Sequence, residues 1–160
     1  MRMILKNNKY ILLGILSFSI CSLLIAYYIE YVLGHKSCNL CLIERVPYFI
    51  SFILTSFVLA LNRLEKVISI VILLSFIFGT IVSFYHFGIE QGFFNESLVC
   101  NLGNGEALNK EQLLKQLEQS TVTSCKDVTF RFLGFSLATI NMIISIILSG
   151  IMIKVIKNYD

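Results

Sequence analysis

Two cysteines separated by two residues, Cys38 and Cys41, are followed four residues later by Arg45, and two more, Cys100 and Cys125, stand in the one long polar segment of the chain. A Cys-x-x-Cys pair at a helix start can close a small disulfide ring, and the positive end of the helix favours thiolate over thiol. A thiolate is both nucleophile and electron donor, so the chemistry on offer is dithiol–disulfide exchange. On a helix running from about Cys38, positions 38, 41 and 45 share one face, which would set the Arg45 cation beside the pair. The competing chemistry is a metal site, because His35, Cys38 and Cys41 form a His-x-x-Cys-x-x-Cys run with three zinc-type ligands. No clear fourth ligand is nearby and the other pair has no matching spacing, so no metal is expected. The fifth cysteine, Cys21, lies inside an apolar run and reads as a small hydrophobe.

What must position these thiols is a membrane. The 160 residues are 56% hydrophobic and 14% charged, with one proline and no tryptophan, and the charges cluster between long uncharged runs. Such a composition is that of an integral membrane protein. A hydrocarbon core about 30 Å thick needs roughly 20 apolar residues in a helix. Residues 10–29, 67–89 and 132–153 are uncharged runs of 20, 23 and 22 residues, whereas residues 46–61 supply only 16. That short run can span only if its helix begins earlier, near Cys41, with the stem of Arg45 snorkelling to water. The expected spans are therefore about 10–29, 42–61, 67–89 and 132–153, with loops at about 30–41 and 90–131.

Lysine and arginine in the short segments set the orientation. Arg2, Lys6 and Lys9 precede the first span, Arg63 and Lys66 fill the turn between the second and third, and Lys154 and Lys157 close the chain. Those segments are expected on the cytoplasmic side. The tight turn requires an antiparallel helix pair, and an even number of spans returns both termini to one side. The expected fold is all-α, an up-down four-helix bundle forming a single membrane domain over residues 1–160. The start of the chain is not read as a cleaved signal peptide, because its apolar run is too long and no small-x-small site follows. Within the long loop, residues 106–119 carry Leu108, Leu113, Leu114 and Leu117 among Lys and Glu, a short amphipathic helix. The net charge of +3 reports orientation, and nucleic acid is not an expected partner. Four of the five cysteines then lie on the non-cytoplasmic face, where disulfides form and persist.

Nearly the whole chain resembles the disulfide-bond formation protein B (DsbB) family of bacterial inner membranes. The likeness rests on the Cys-x-Leu-Cys-x-x-Glu-Arg-x-Pro-Tyr run from Cys38 to Tyr48 and on Tyr85-His86-Phe87-Gly88-Ile89-Glu90. It rests also on Ser124-Cys125-Lys126-Asp127 and on Phe132-Leu133-Gly134-Phe135-Ser136, with Asn141 following. The resemblance implies a thiol:quinone oxidoreductase. A loop disulfide, Cys100 with Cys125, would oxidise a periplasmic thioredoxin-fold partner similar to DsbA. Cys38 and Cys41 would then reoxidise the loop pair and pass two electrons to the membrane quinone pool, ubiquinone or menaquinone. Arg45 would meet the quinone carbonyl or the thiolate, His86 would lie near the quinone, and Glu90 would stand close by as a polar residue. The long loop would be periplasmic, and the protein would reside in the bacterial inner membrane.

Two other redox readings differ in detail. Proteins similar to vitamin K epoxide reductases place the second cysteine pair before the quinone-proximal one, whereas Cys100 and Cys125 follow it. A DsbI-type relative would serve a dedicated partner. A scaffold whose disulfides merely staple loops is the alternative from another class, and it predicts unreactive cysteines.

Overall fold

The structure is a computed structural model that describes residues 2–35, 37–61, 65–95, 100, 125, 131–132 and 134–159. Its described elements run α1 (Arg2–Tyr31), α2 (Asn39–Ile43), α3 (Val46–Leu61), α4 (Glu65–Glu90), β1 (Arg131–Phe132), β2 (Phe135–Ser136) and α5 (Leu137–Lys157). Four stretches are long and apolar enough to cross a membrane: Asn8–Tyr31, Asn39–Leu61, Glu65–Glu90 and Leu137–Lys157. They pack as an all-α bundle in which α4 lies along α5, and α3 lies between α1 and α4. The amphipathic stretch 106–119 falls outside the described residues.

Burial in this bundle differs from that of a water-soluble protein in how many large apolar side chains lie on the outside and how many hydroxyls lie within. Leu24, Ile53, Leu74, Ile81 and Ile147 point outward, while Ser19, Ser51, Thr55, Ser69, Ser83 and Ser145 are buried. With lipid as apolar as leucine, nothing drives large side chains inward, and small residues let helices approach closely. The Ser19 and Ser51 hydroxyls meet at 3.3 Å across α1 and α3. A Cβ on Gly79 of α4 would stand 3.0 Å from Pro47 Cγ and 3.4 Å from Ser145 Oγ, so α3, α4 and α5 converge there. Leu12, Ile15, Tyr48, Ile72, Phe76 and Met152 fill the centre. Cys21 is a free thiol on the outer surface of α1.

The second span is broken. α2 ends at Ile43, Glu44 and Arg45 form a turn, and α3 resumes at Val46. Pro47 accounts for the break, since it has no N–H to give the Ile43 carbonyl and its ring crowds that carbonyl. Arg45 N–H turns back to the Leu42 carbonyl at 3.2 Å, and its own carbonyl accepts from Tyr48 and Phe49. The face expected to carry residues 38, 41 and 45 together is therefore interrupted.

The fourth helix begins five residues after the uncharged run does. Phe132 pairs with Phe135 and Arg131 with Ser136 in a two-residue antiparallel ladder. The connection includes Gly134 at φ 86, a conformation that glycine adopts without strain. Ser136 then caps α5, its hydroxyl accepting from the Thr139 N–H at 3.2 Å. At the other end α5 continues past Ile153 to Lys157, and two lysines in its last turn face the negative end of the helix dipole.

Candidate active site

Cys38 is the N-cap of α2, and its sulfur accepts from the Cys41 N–H at 3.2 Å. That turn brings the two Cα atoms to 5.1 Å, within the range a disulfide bridges, and Cys38 is bonded to Cys41. Cys100 is bonded to Cys125. Cys38, Leu40, Ile89, Cys100 and Cys125 form one buried cluster, with Cys41, Ile43, Val82 and Tyr85 packed against it. Both disulfides therefore sit together at one end of the bundle, a placement that favours exchange between them.

Within the Cys38–Cys41 disulfide the two sulfurs face different surroundings. Cys38 is 4% exposed. Cys41 is half-buried between the outward-facing Leu42 and the inner wall, with Val46 also outward one turn on.

The side chain on the inner sulfur is His86. Its Nε2 stands 3.6 Å from Cys38 Sγ. Its Nδ1 is 2.8 Å from Glu44 Oε1, so the carboxylate accepts Nδ1–H and Nε2 is the nitrogen turned toward the sulfur. The backbone of Cys125 approaches the same imidazole, which links His86 to both cysteine pairs. Glu44 is held in turn. Asn141 Nδ2 donates to Glu44 Oε2 at 3.2 Å and to Ser83 Oγ at 2.7 Å, while the Tyr48 hydroxyl donates to Asn141 Oδ1 at 2.5 Å. Glu90, one helical turn after His86, brings Oε1 to 3.8 Å from Nε2. Buried polar groups in a span are costly unless partnered, and these contacts partner His86, Glu44 and Asn141.

Arg45 points elsewhere. Its guanidinium donates to Glu30 Oε2 at 2.5 Å and to Ser37 Oγ at 2.6 Å, and it lies 5.2 Å above the Tyr27 ring. It ties the end of α1 to the turn before α3, next to Cys38, while His86 is the side chain that contacts the Cys38 sulfur. The group of metal-capable side chains found among the described residues joins His86, not His35, to Cys38 and Cys41. Sequence reasoning gave no role to Glu44 or Asn141. The available signal was that an ionisable residue in a span marks a site by default, and Glu44 lies in the second span.

A model of the family described as "Disulfide bond formation protein DsbB" matches residues 8–155. The chain belongs to the DsbB family. DsbB proteins are membrane disulfide oxidoreductases, and this multi-pass chain with its two disulfides is one of them. It is also 28% identical over 148 residues to "Uncharacterized protein RP370" of Rickettsia prowazekii, covering 90% of this chain and 86% of that protein. No solved structure matches it.

Proposed function

We propose that this protein is a thiol:quinone oxidoreductase of the bacterial inner membrane that reoxidises a periplasmic thioredoxin-fold dithiol protein similar to DsbA. The observation that carries the reading is the packing of both disulfides in one buried cluster around His86, at one end of four apolar spans.

A thiolate of the reduced partner attacks the Cys100–Cys125 disulfide, forming a mixed disulfide and releasing one thiolate. The partner's second thiol resolves it, leaving the partner oxidised and Cys100 and Cys125 as a dithiol. That dithiol opens the Cys38–Cys41 disulfide by the same exchange, and two electrons and two protons now reside on Cys38 and Cys41. With its imidazole in the neutral form, His86 takes the Cys38 proton at Nε2, and Glu44 holds the imidazolium so formed. A donor near −120 mV is itself a strong oxidant, so the final acceptor must have a higher potential than ordinary thiols. A quinone supplies that two-electron, two-proton acceptor.

Two observations support the fit. Cys41 is half-buried beside the lipid-facing Leu42 and Val46, an apolar approach for a ring dissolved in the bilayer. Arg45 stands at the same membrane edge, 12% exposed, as the cation available to a carbonyl or a thiolate once Glu30 shares it. The basic cytoplasmic segments support an orientation with this end periplasmic. The purified protein, given a reduced thioredoxin-fold donor, is expected to consume quinone in proportion to donor thiols oxidised. Partner oxidation without quinone loss would refute the proposed acceptor.

A further inference from the structure

With Cys38 and Cys41 joined, their sulfurs are not metal ligands. Two electrons change that. Reduction leaves two thiols beside His86, and the three ligand atoms of Cys38, Cys41 and His86 already lie within 4.8 Å of one another. Tetrahedral zinc, with Zn–S bonds of about 2.3 Å and a Zn–N bond of about 2.0 Å, requires an S···N edge of about 3.6 Å. Cys38 Sγ and His86 Nε2 stand 3.6 Å apart. The same bond lengths require an S···S edge of about 3.8 Å, close to the contact distance two sulfurs reach when their bond is broken.

The surroundings are those of a zinc ligand set. Glu44 Oε1 stands 2.8 Å from His86 Nδ1, the carboxylate partner that orients a metal-ligating imidazole. Glu90 lies beside this set but outside the group of three. Glu90 Oε1 is 3.8 Å from Nε2, the Glu90 side chain is 6% exposed, and its Oε2 is buried with no hydrogen-bond partner among the described residues. An orphaned carboxylate oxygen at a membrane edge is costly, and a divalent cation relieves it.

We propose that the two-electron-reduced protein binds Zn2+ through Cys38, Cys41 and His86, with water in the fourth position, and that the metal holds this dithiol reduced. Binding exchanges two thiol protons for one cation, and no electrons move. The sulfur lone pairs are then committed to the metal, so the relay stops until zinc leaves. The inference rests on the function above only in requiring that the Cys38–Cys41 disulfide open. The oxidised protein has no such site, which makes zinc a brake that acts on the reduced state alone.

The test uses the full chain with Cys100→Ser and Cys125→Ser, reduced, freed of reductant and titrated anaerobically with Cd2+. The thiolate-to-cadmium ultraviolet band reports binding, and competition with a chromophoric chelator gives the zinc affinity. One metal per reduced protein and none per oxidised protein is expected, with affinity falling about 10- to 100-fold in Glu44→Gln and further in His86→Ala. Equal binding by oxidised and reduced protein, or undiminished affinity in His86→Ala, overturns the proposal. A second measurement avoids the variants: in the reduced wild-type protein Zn2+ should slow alkylation of Cys38 and Cys41, and a chelator should restore it. Unchanged alkylation of Cys38 and Cys41 also overturns it. Neither readout involves quinone or a protein partner, so failure of the quinone assay and failure of the metal site are separate results.

Discussion

One imidazole connects the chemistry at the smallest scale. His86 touches the Cys38 sulfur with one nitrogen and the Glu44 carboxylate with the other, so it can accept a thiol proton and stay charged in a dry setting. His86→Ala should slow quinone reduction by about 100-fold, the usual worth of a positioned base. Stopped-flow absorbance of the quinone checks it, and a loss under twofold would remove His86 from the proton path. Glu44→Gln keeps the size but not the charge, and should lower the same rate while leaving the disulfides formed. Arg45 has a different prediction because its contacts are Glu30, Ser37 and the Tyr27 ring. Arg45→Ala should weaken quinone use about 10-fold, the worth of one hydrogen bond to a charged group, and affect partner oxidation less. Equal loss in the two half-reactions would argue against its assigned role.

At the scale of elements, the site depends on where helices stop. Pro47 breaks the second span after Ile43, which lets Glu44 turn inward to His86 while Arg45 turns out to Glu30. Ser136 ends the β ladder and caps α5, and Ser136→Ala should cost about 1 kcal/mol of stability. Gly79→Val should cost about 1–3 kcal/mol, because its side chain would press on Pro47 and Ser145 where three helices converge. Denaturant titration in detergent micelles measures both, and an unchanged midpoint for Gly79→Val would mean that the helices do not meet there. The spans themselves were legible in the sequence, because runs of uncharged residues are what a bilayer demands. Their ends were not. Phe132, Phe135 and Ser136 read as apolar helix until the ladder and cap are seen, and Lys154 marks the end of an uncharged run without ending the helix, which continues to Lys157. The thiols were legible from spacing, and Glu44 and Asn141 were not. They sit 97 residues apart, and only the packing of α5 against α4 and the broken span brings them together.

At the scale of the whole molecule, the bundle places two disulfides at one end of a hydrophobic cylinder. Many large apolar side chains face out, and several hydroxyls are buried beside the apolar core, so the surface is built for lipid and the interior for close helix contact. Seven basic residues fall in the short segments of the sequence outside the spans, Arg2, Lys6, Lys9, Arg63, Lys66, Lys154 and Lys157, the pattern expected of cytoplasmic segments. A membrane-impermeant thiol reagent applied to reduced spheroplasts should therefore modify Cys41 but not a cysteine introduced at Asn158, and the reverse pattern would invert the orientation. The most direct test of the central claim is quinone-dependent oxidation of a reduced thioredoxin-fold donor, run with wild type and with each cysteine replaced by serine. Turnover should be retained in Cys21→Ser and lost in Cys38→Ser, Cys41→Ser, Cys100→Ser and Cys125→Ser. Wild-type quinone reduction by Cys41→Ser would contradict the relay.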